Sequence, residues 1–116
     1  VEIRWEALTI DAREPLSLAR WWARTLGWDV MDPDPAGVEV RPPDRHSSSL
    51  FFVRVDDAKL TKNRLHLDLY AEDQAAAVDG LIARGATRAT VGQPDDAEWV
   101  VLRDPEGNEF CLLEPR

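Results

Sequence analysis

The chain carries a single cysteine, Cys111, among its 116 residues. No intrachain disulfide can staple it, and one thiol says little about the redox compartment. Long apolar runs are missing too: none approaches the roughly 20 residues that span a bilayer, so a membrane helix is excluded. The first residues lack the charged, apolar and small-residue progression of a signal peptide, and a cytoplasmic location is expected. Positive charge is in deficit, with Lys+Arg 14 against Asp+Glu 22 and a net charge of −8. Such a field repels phosphate backbones, so nucleic acid is not expected as a partner, nor is a membrane. Most of that acidic excess reads as ordinary solvated surface.

What remains is 44% hydrophobic, enough for one domain over residues 1–116 with a core that needs no staples. The organising stretch is Lys62 to Tyr70. Its alternation predicts a half-buried strand, with Arg64, His66, Asp68 and Tyr70 on one face and Leu65, Leu67 and Leu69 on the other. An imidazole, a carboxylate and a phenol on one face call for a cavity or a polar network, because burying them unpartnered is costly.

In chain order, Ile3 to Ile10 alternates as a strand. Glu14-Pro15 opens a helix to about Leu26, whose Leu18, Trp21, Trp22, Ala23 and Leu26 share a face and which Gly27 stops. Strands are expected over Trp28 to Met31, Val38 to Arg41 and Leu50 to Val55, with the polar loop Pro42 to Ser49 holding His46. After the central strand, Glu72-Asp73-Gln74 begins a second helix through Val78, Leu81 and Ile82 that Gly85 closes. Strands follow over Ala86 to Val91, Trp99 to Leu102 and Phe110 to Leu113, the last two joined by a hairpin over Asp104 to Asn108.

Each half thus reads strand, helix, three strands. Gly27 answers to Gly85, and Leu8-Thr9-Ile10 to Leu67-Asp68-Leu69, at nearly the same offset. The fold class expected is α+β, a tandem βαβββ duplication with one module over about 1–58 and a second over about 62–116.

The stretch Lys62 to Leu69, the helix end Leu81 to Ala86, Trp99 to Leu102 and the run Asp104 to Cys111 together resemble the glyoxalase-like branch of the vicinal oxygen chelate superfamily. The first half agrees more loosely through Asp11, Pro15, Trp22 and Leu26-Gly27-Trp28. That superfamily includes glyoxalase I, extradiol dioxygenases, and bleomycin and fosfomycin resistance proteins. The resemblance implies paired modules forming a curved, incomplete barrel around a cavity, and a homodimer. It also implies four metal-ligand positions, which fall here on Ala7, about Val53, His66 and Cys111. The first two side chains cannot ligate, and a zinc-type site needs at least three protein ligands. Asp68 and His46 are nearby donors but occupy no family position. The expectation is therefore no metal and no cofactor, with a divalent ion as the alternative.

Trp21, Trp22 and Trp28 belong to the core by their spacing around the first helix. Trp5 and Trp99 are the candidates for cavity walls that offer a flat surface to a ring. The expected ligand-binding set is Trp5, His66, Asp68, Tyr70, Trp99 and Cys111, with His66 the candidate catalytic residue. Beside these roles stand plainer ones: a hydrogen-bonded wall for His66 and a small buried hydrophobe for Cys111. Two functions fit. One is a metal-independent module that binds a small cationic or aromatic molecule, like the resistance proteins. The other is a metal-dependent lyase or dioxygenase-type enzyme using His66.

Overall fold

The computed structural model describes residues 1–44 and 46–115. The chain divides into two compact units, Val1–Ala58 and Lys59–Arg116. The first holds β1 (Ala7–Ala12), α1 (Pro15–Leu26), β2 (Asp29–Val30), β3 (Val38–Arg41) and β4 (Ser49–Arg54). The second holds β5 (Asp68–Tyr70), α2 (Gln74–Ala83), β6 (Thr87–Arg88), β7 (Val100–Arg103) and β8 (Glu109–Leu113). Each unit is α+β and runs strand, helix, three strands. Each has one open four-stranded sheet, ordered β1-β4-β3-β2 in the first unit and β5-β8-β7-β6 in the second. No helix among the described residues is long and apolar enough to cross a membrane.

In the first unit, Pro15 supplies a helical φ at the first turn of α1, and Gly27 ends it in the left-handed conformation at φ 71°, its N–H donating to the Ala23 carbonyl. The apolar stripe of α1 buries Leu18, Ala19, Trp21, Trp22 and Ala23, and α1 packs chiefly on β3 and β4. Those strands contribute Val38, Val40, Leu50 and Phe52, all buried. The two indoles of Trp21 and Trp22 meet edge to face with centroids 5.0 Å apart. β1 begins at Ala7, not Ile3, because its parallel ladder with β4 starts at the pair Ala7 and Ser49. Residues 1–6 lie outside the sheet, and Ile3 and Trp5 are exposed.

The second unit corrects the reading of the central stretch. Only Asp68–Tyr70 is strand, and Leu65, expected on a buried face, is 80% exposed. The segment before β5 is held by a side chain instead of a ladder. The Glu109 carboxylate accepts from the Asn63 backbone N–H at 2.8 Å and lies 2.7 Å from the Lys59 ammonium. Residues anchored in this way do not need the period of a strand. α2 begins where expected, the Asp73 carboxylate accepting from the Ala76 N–H at 3.0 Å as a helix cap. Val78 and Leu81 of α2 are buried, as are Leu102, Phe110 and Leu112 of β7 and β8. The strand expected over Ala86 to Val91 shortens to Thr87–Arg88. The hairpin between β7 and β8 is closed by Asp104, whose buried carboxylate accepts from the N–H groups of Glu106 and Asn108 at 2.9 and 3.0 Å.

Candidate functional site

The site is assembled by ladder register. β5 runs parallel to β8 with Asp68 opposite Cys111, and the Cys111 N–H donates to the Leu67 carbonyl at 2.9 Å. On the other side of β8, Val101 of β7 is opposite Cys111. Residues paired across a sheet point to the same side of it, so Asp68, Cys111 and Val101 form one row. His66, two residues before Asp68, brings its Nδ1 to 3.1 Å from Asp68 Oδ1 and 3.7 Å from Cys111 Sγ. One ligand atom from each of the three side chains lies within 4.8 Å of the others.

The row forms part of the wall of a cleft of about 470 Å³, to which Trp99, Gln93 and Lys62 also contribute. That volume suits a drug-sized molecule. Cys111 packs with Ala89 and Val101 into a small apolar cluster, joined by Val91 and Leu113. His66 and Asp68 stand at the open side, their side chains 40% and 52% exposed. The cleft therefore has an apolar part with one thiol and a wet edge with an imidazole and a carboxylate, and Trp99 is partly open to solvent.

Burial, and then the neighbouring Asp68 carboxylate, push the Cys111 thiol above its ordinary value. It is protonated at neutral pH and a poor nucleophile. Moreover, Asp68 and Cys111 both address the same imidazole nitrogen, Nδ1. A relay in which a carboxylate holds one ring nitrogen while the other takes the thiol proton is not the arrangement present. Glu109 lines the same cleft and behaves differently. Burial raises its carboxyl, but the hydrogen bond and charge of Lys59 and the Asn63 N–H outweigh burial and hold it below the usual glutamate value.

Of the side chains expected to meet a ligand, His66, Asp68, Trp99 and Cys111 line one cleft. Trp5 is 72% exposed in the first unit, ahead of β1, and Tyr70 is 57% exposed and does not border the cleft. The pairing of Glu109 with Lys59 and Asn63 is a feature of the cleft that the sequence reading does not include. Its signal was present in the alternation of β8, where Glu109 stands two residues before Cys111 and so shares its face. Ala7 of β1 and Val53 of β4 offer no donor side chain. His46 sits in the loop after β3, its N–H donating to the Asp44 carboxylate at 2.9 Å.

Among solved structures, the oxidase ChaP-H2 is similar over 100% of this chain and 96% of its own, with a TM-score of 0.69 and 19% identity. A glyoxalase/bleomycin resistance protein/dioxygenase family enzyme from Burkholderia phytofirmans PsJN matches over 94% and 96%, with a TM-score of 0.71 and 18% identity. TnmS3, an antibiotic binding protein from Streptomyces sp. CB03234, matches over the full length of both chains with a TM-score of 0.63 and 18% identity. At these identities the likeness shows the fold alone. A search of curated proteins found no match. The family model of the glyoxalase-like domain matches residues 7–113. With nearly the whole chain covered, this protein belongs to the glyoxalase-like family of the vicinal oxygen chelate superfamily.

Proposed function

We propose that this protein binds a small aromatic molecule bearing a cationic or hydrogen-bonding group in the cleft of its second unit, without the four-ligand metal site of its superfamily. The observation that carries the reading is the joint lining of one cleft by the Trp99 indole and the His66–Asp68 pair. An indole offers a stacking face, and Asp68 offers a charge-assisted acceptor to a cation. Ala7 and Val53 remove two of the four superfamily ligand positions. The antibiotic-binding name of one structural neighbour agrees with a sequestering role.

A second reading, an enzyme of the lyase or dioxygenase type using His66, has one observation in its favour. The 3.1 Å contact of Nδ1 with Asp68 orients the ring and leaves Nε2 to act as an acid or base. The two readings part in a thermal-shift screen of cationic and neutral aromatics in chelator. A hit that quenches tryptophan fluorescence, loses the quench in Trp99→Phe and is recovered unchanged after prolonged incubation supports binding. A hit converted to product by the wild type but not by His66→Ala supports the enzyme. Hits indifferent to His66, Asp68 and Trp99 overturn both. The functional form is proposed to be a cytoplasmic homodimer, in keeping with the large apolar side chains Ile3, Leu60 and Leu65 left exposed on a single chain.

A further inference from the structure

We propose that His66, Asp68 and Cys111 form a three-ligand site for a thiophilic divalent cation of the zinc type, contained wholly within the second unit. It is not the four-ligand superfamily site: His66 and Cys111 stand at two of those four positions, the other two carry Ala7 and about Val53, and the third ligand here, Asp68, occupies none of them. The site also does not rest on the ligand proposed above, since it needs no organic molecule.

A tetrahedral ion with bonds of about 2.0–2.3 Å to nitrogen, oxygen and sulfur holds those atoms about 3.3–3.6 Å apart. The observed separations of 3.1 Å from Nδ1 to Oδ1 and 3.7 Å from Nδ1 to Sγ bracket that spacing. The three donor atoms all lie within 4.8 Å of one another, so rotamer shifts of about an ångström would draw them around one ion. Two of the three donors come from strand residues fixed opposite one another in a hydrogen-bonded ladder, so binding need not order a loop.

Donor chemistry decides which ion. A thiolate and a carboxylate together neutralise a divalent charge, and an imidazole completes a mixed nitrogen, oxygen and sulfur set. Sulfur disfavours magnesium and calcium, which take oxygen ligands, and favours zinc and its neighbours. On binding, the Cys111 sulfur forms a bond to the ion and its proton leaves to solvent. The His66 nitrogen facing the ion donates its lone pair, so the ring proton sits on Nε2. The exposed sides of His66 and Asp68 leave the fourth position facing the cleft, open to water or to a ligand atom. Lys62 borders the same cleft and opposes cation entry. Glu109 does not compete as a ligand, because its charge is already engaged by Lys59.

Cobalt(II) titrated into chelator-treated, desalted full-length protein tests the site with a readout independent of any activity. One equivalent is expected to give the intense visible bands of a tetrahedral ion and a thiolate-to-cobalt band in the near ultraviolet, both bleached by one equivalent of zinc. Cys111→Ser should remove the near-ultraviolet band. Asp68→Asn and His66→Ala should each weaken cobalt by at least the roughly 10–100-fold that loss of an outer-shell partner costs. Asp68 is exposed, so its variant keeps the test sound if Cys111→Ser does not fold, which circular dichroism reports. Weak octahedral bands only, a near-ultraviolet band that survives in Cys111→Ser, or unchanged affinity in Asp68→Asn and His66→Ala would each overturn the proposal. Because the organic-ligand screen is run in chelator and this titration without organics, either reading can fail alone.

Discussion

Asp68 acts on two neighbours from one exposed position. It holds the His66 ring, raises the Cys111 thiol and supplies the only carboxylate of the triad. Its removal has separable consequences. Asp68→Asn should weaken a cationic aromatic ligand by roughly ten- to a hundredfold, the ~1.5–3 kcal/mol of one charge-assisted contact, measured by fluorescence titration. The same change should speed alkylation of Cys111 by iodoacetamide, since the charge that disfavours the thiolate is gone. In the wild type that alkylation should be slow until urea exposes the thiol. An equal rate in native and unfolded protein would contradict the burial of Cys111.

Glu109 shows how one buried carboxylate shapes an element. Lys59 and Asn63 reach it from the segment before β5, fixing that segment against β8 without a strand ladder. In the folded chain its carboxyl is held below the ordinary value of 4.5. The resulting stability is fully present above that value and lost as pH falls through the lower, folded one. The acid-unfolding midpoint should therefore move toward neutral pH in Lys59→Met. At neutral pH that variant, which leaves a buried charge unpaired, should lose about 3 kcal/mol, read as a melting temperature roughly 10 °C lower. In the first unit, the turn between β2 and β3 depends on Gly37. A Cβ there would stand 2.4 Å from the Phe52 carbonyl oxygen and 2.9 Å from the Phe51 ring, at φ 154°. Backbone cannot yield as a side-chain tip does, so Gly37→Ala should destabilise by at least about 1–3 kcal/mol in urea unfolding, whereas Gly92→Ala, with open space around it, should cost less.

At the scale of the whole molecule, the chain leaves Ile3, Trp5, Leu60 and Leu65 more than two-thirds exposed. Such residues gain by association, and β1 and β5 each lie at an edge of their sheet, the position where a further strand can be added. Light scattering at micromolar concentration should give twice 13.1 kDa. Introducing charge at Leu60 and Leu65 should shift the mass toward the monomer if those side chains are covered in the pair. A monomer in the unmodified protein would reject the dimer.

The sequence alone determined the features that close within a few residues. Pro15 and Gly27 bound α1, Asp73 starts α2, Val38 to Arg41 alternates as the strand it is, and Asp104 to Asn108 makes its turn from its own side chains. It also carried the signs of a repeated βαβββ order and of the family. Tertiary structure decided what depends on partners far along the chain. Period-2 alternation over Lys62 to Tyr70 predicts a long strand, yet a strand exists only where another backbone pairs with it, and Glu109 holds the earlier residues by side-chain bonds. Trp5 alternates as a wall residue but has no ladder to place it. Asp68 meets Cys111 through the register of β5 on β8, which is set by the packing of whole strands and appears in no local pattern.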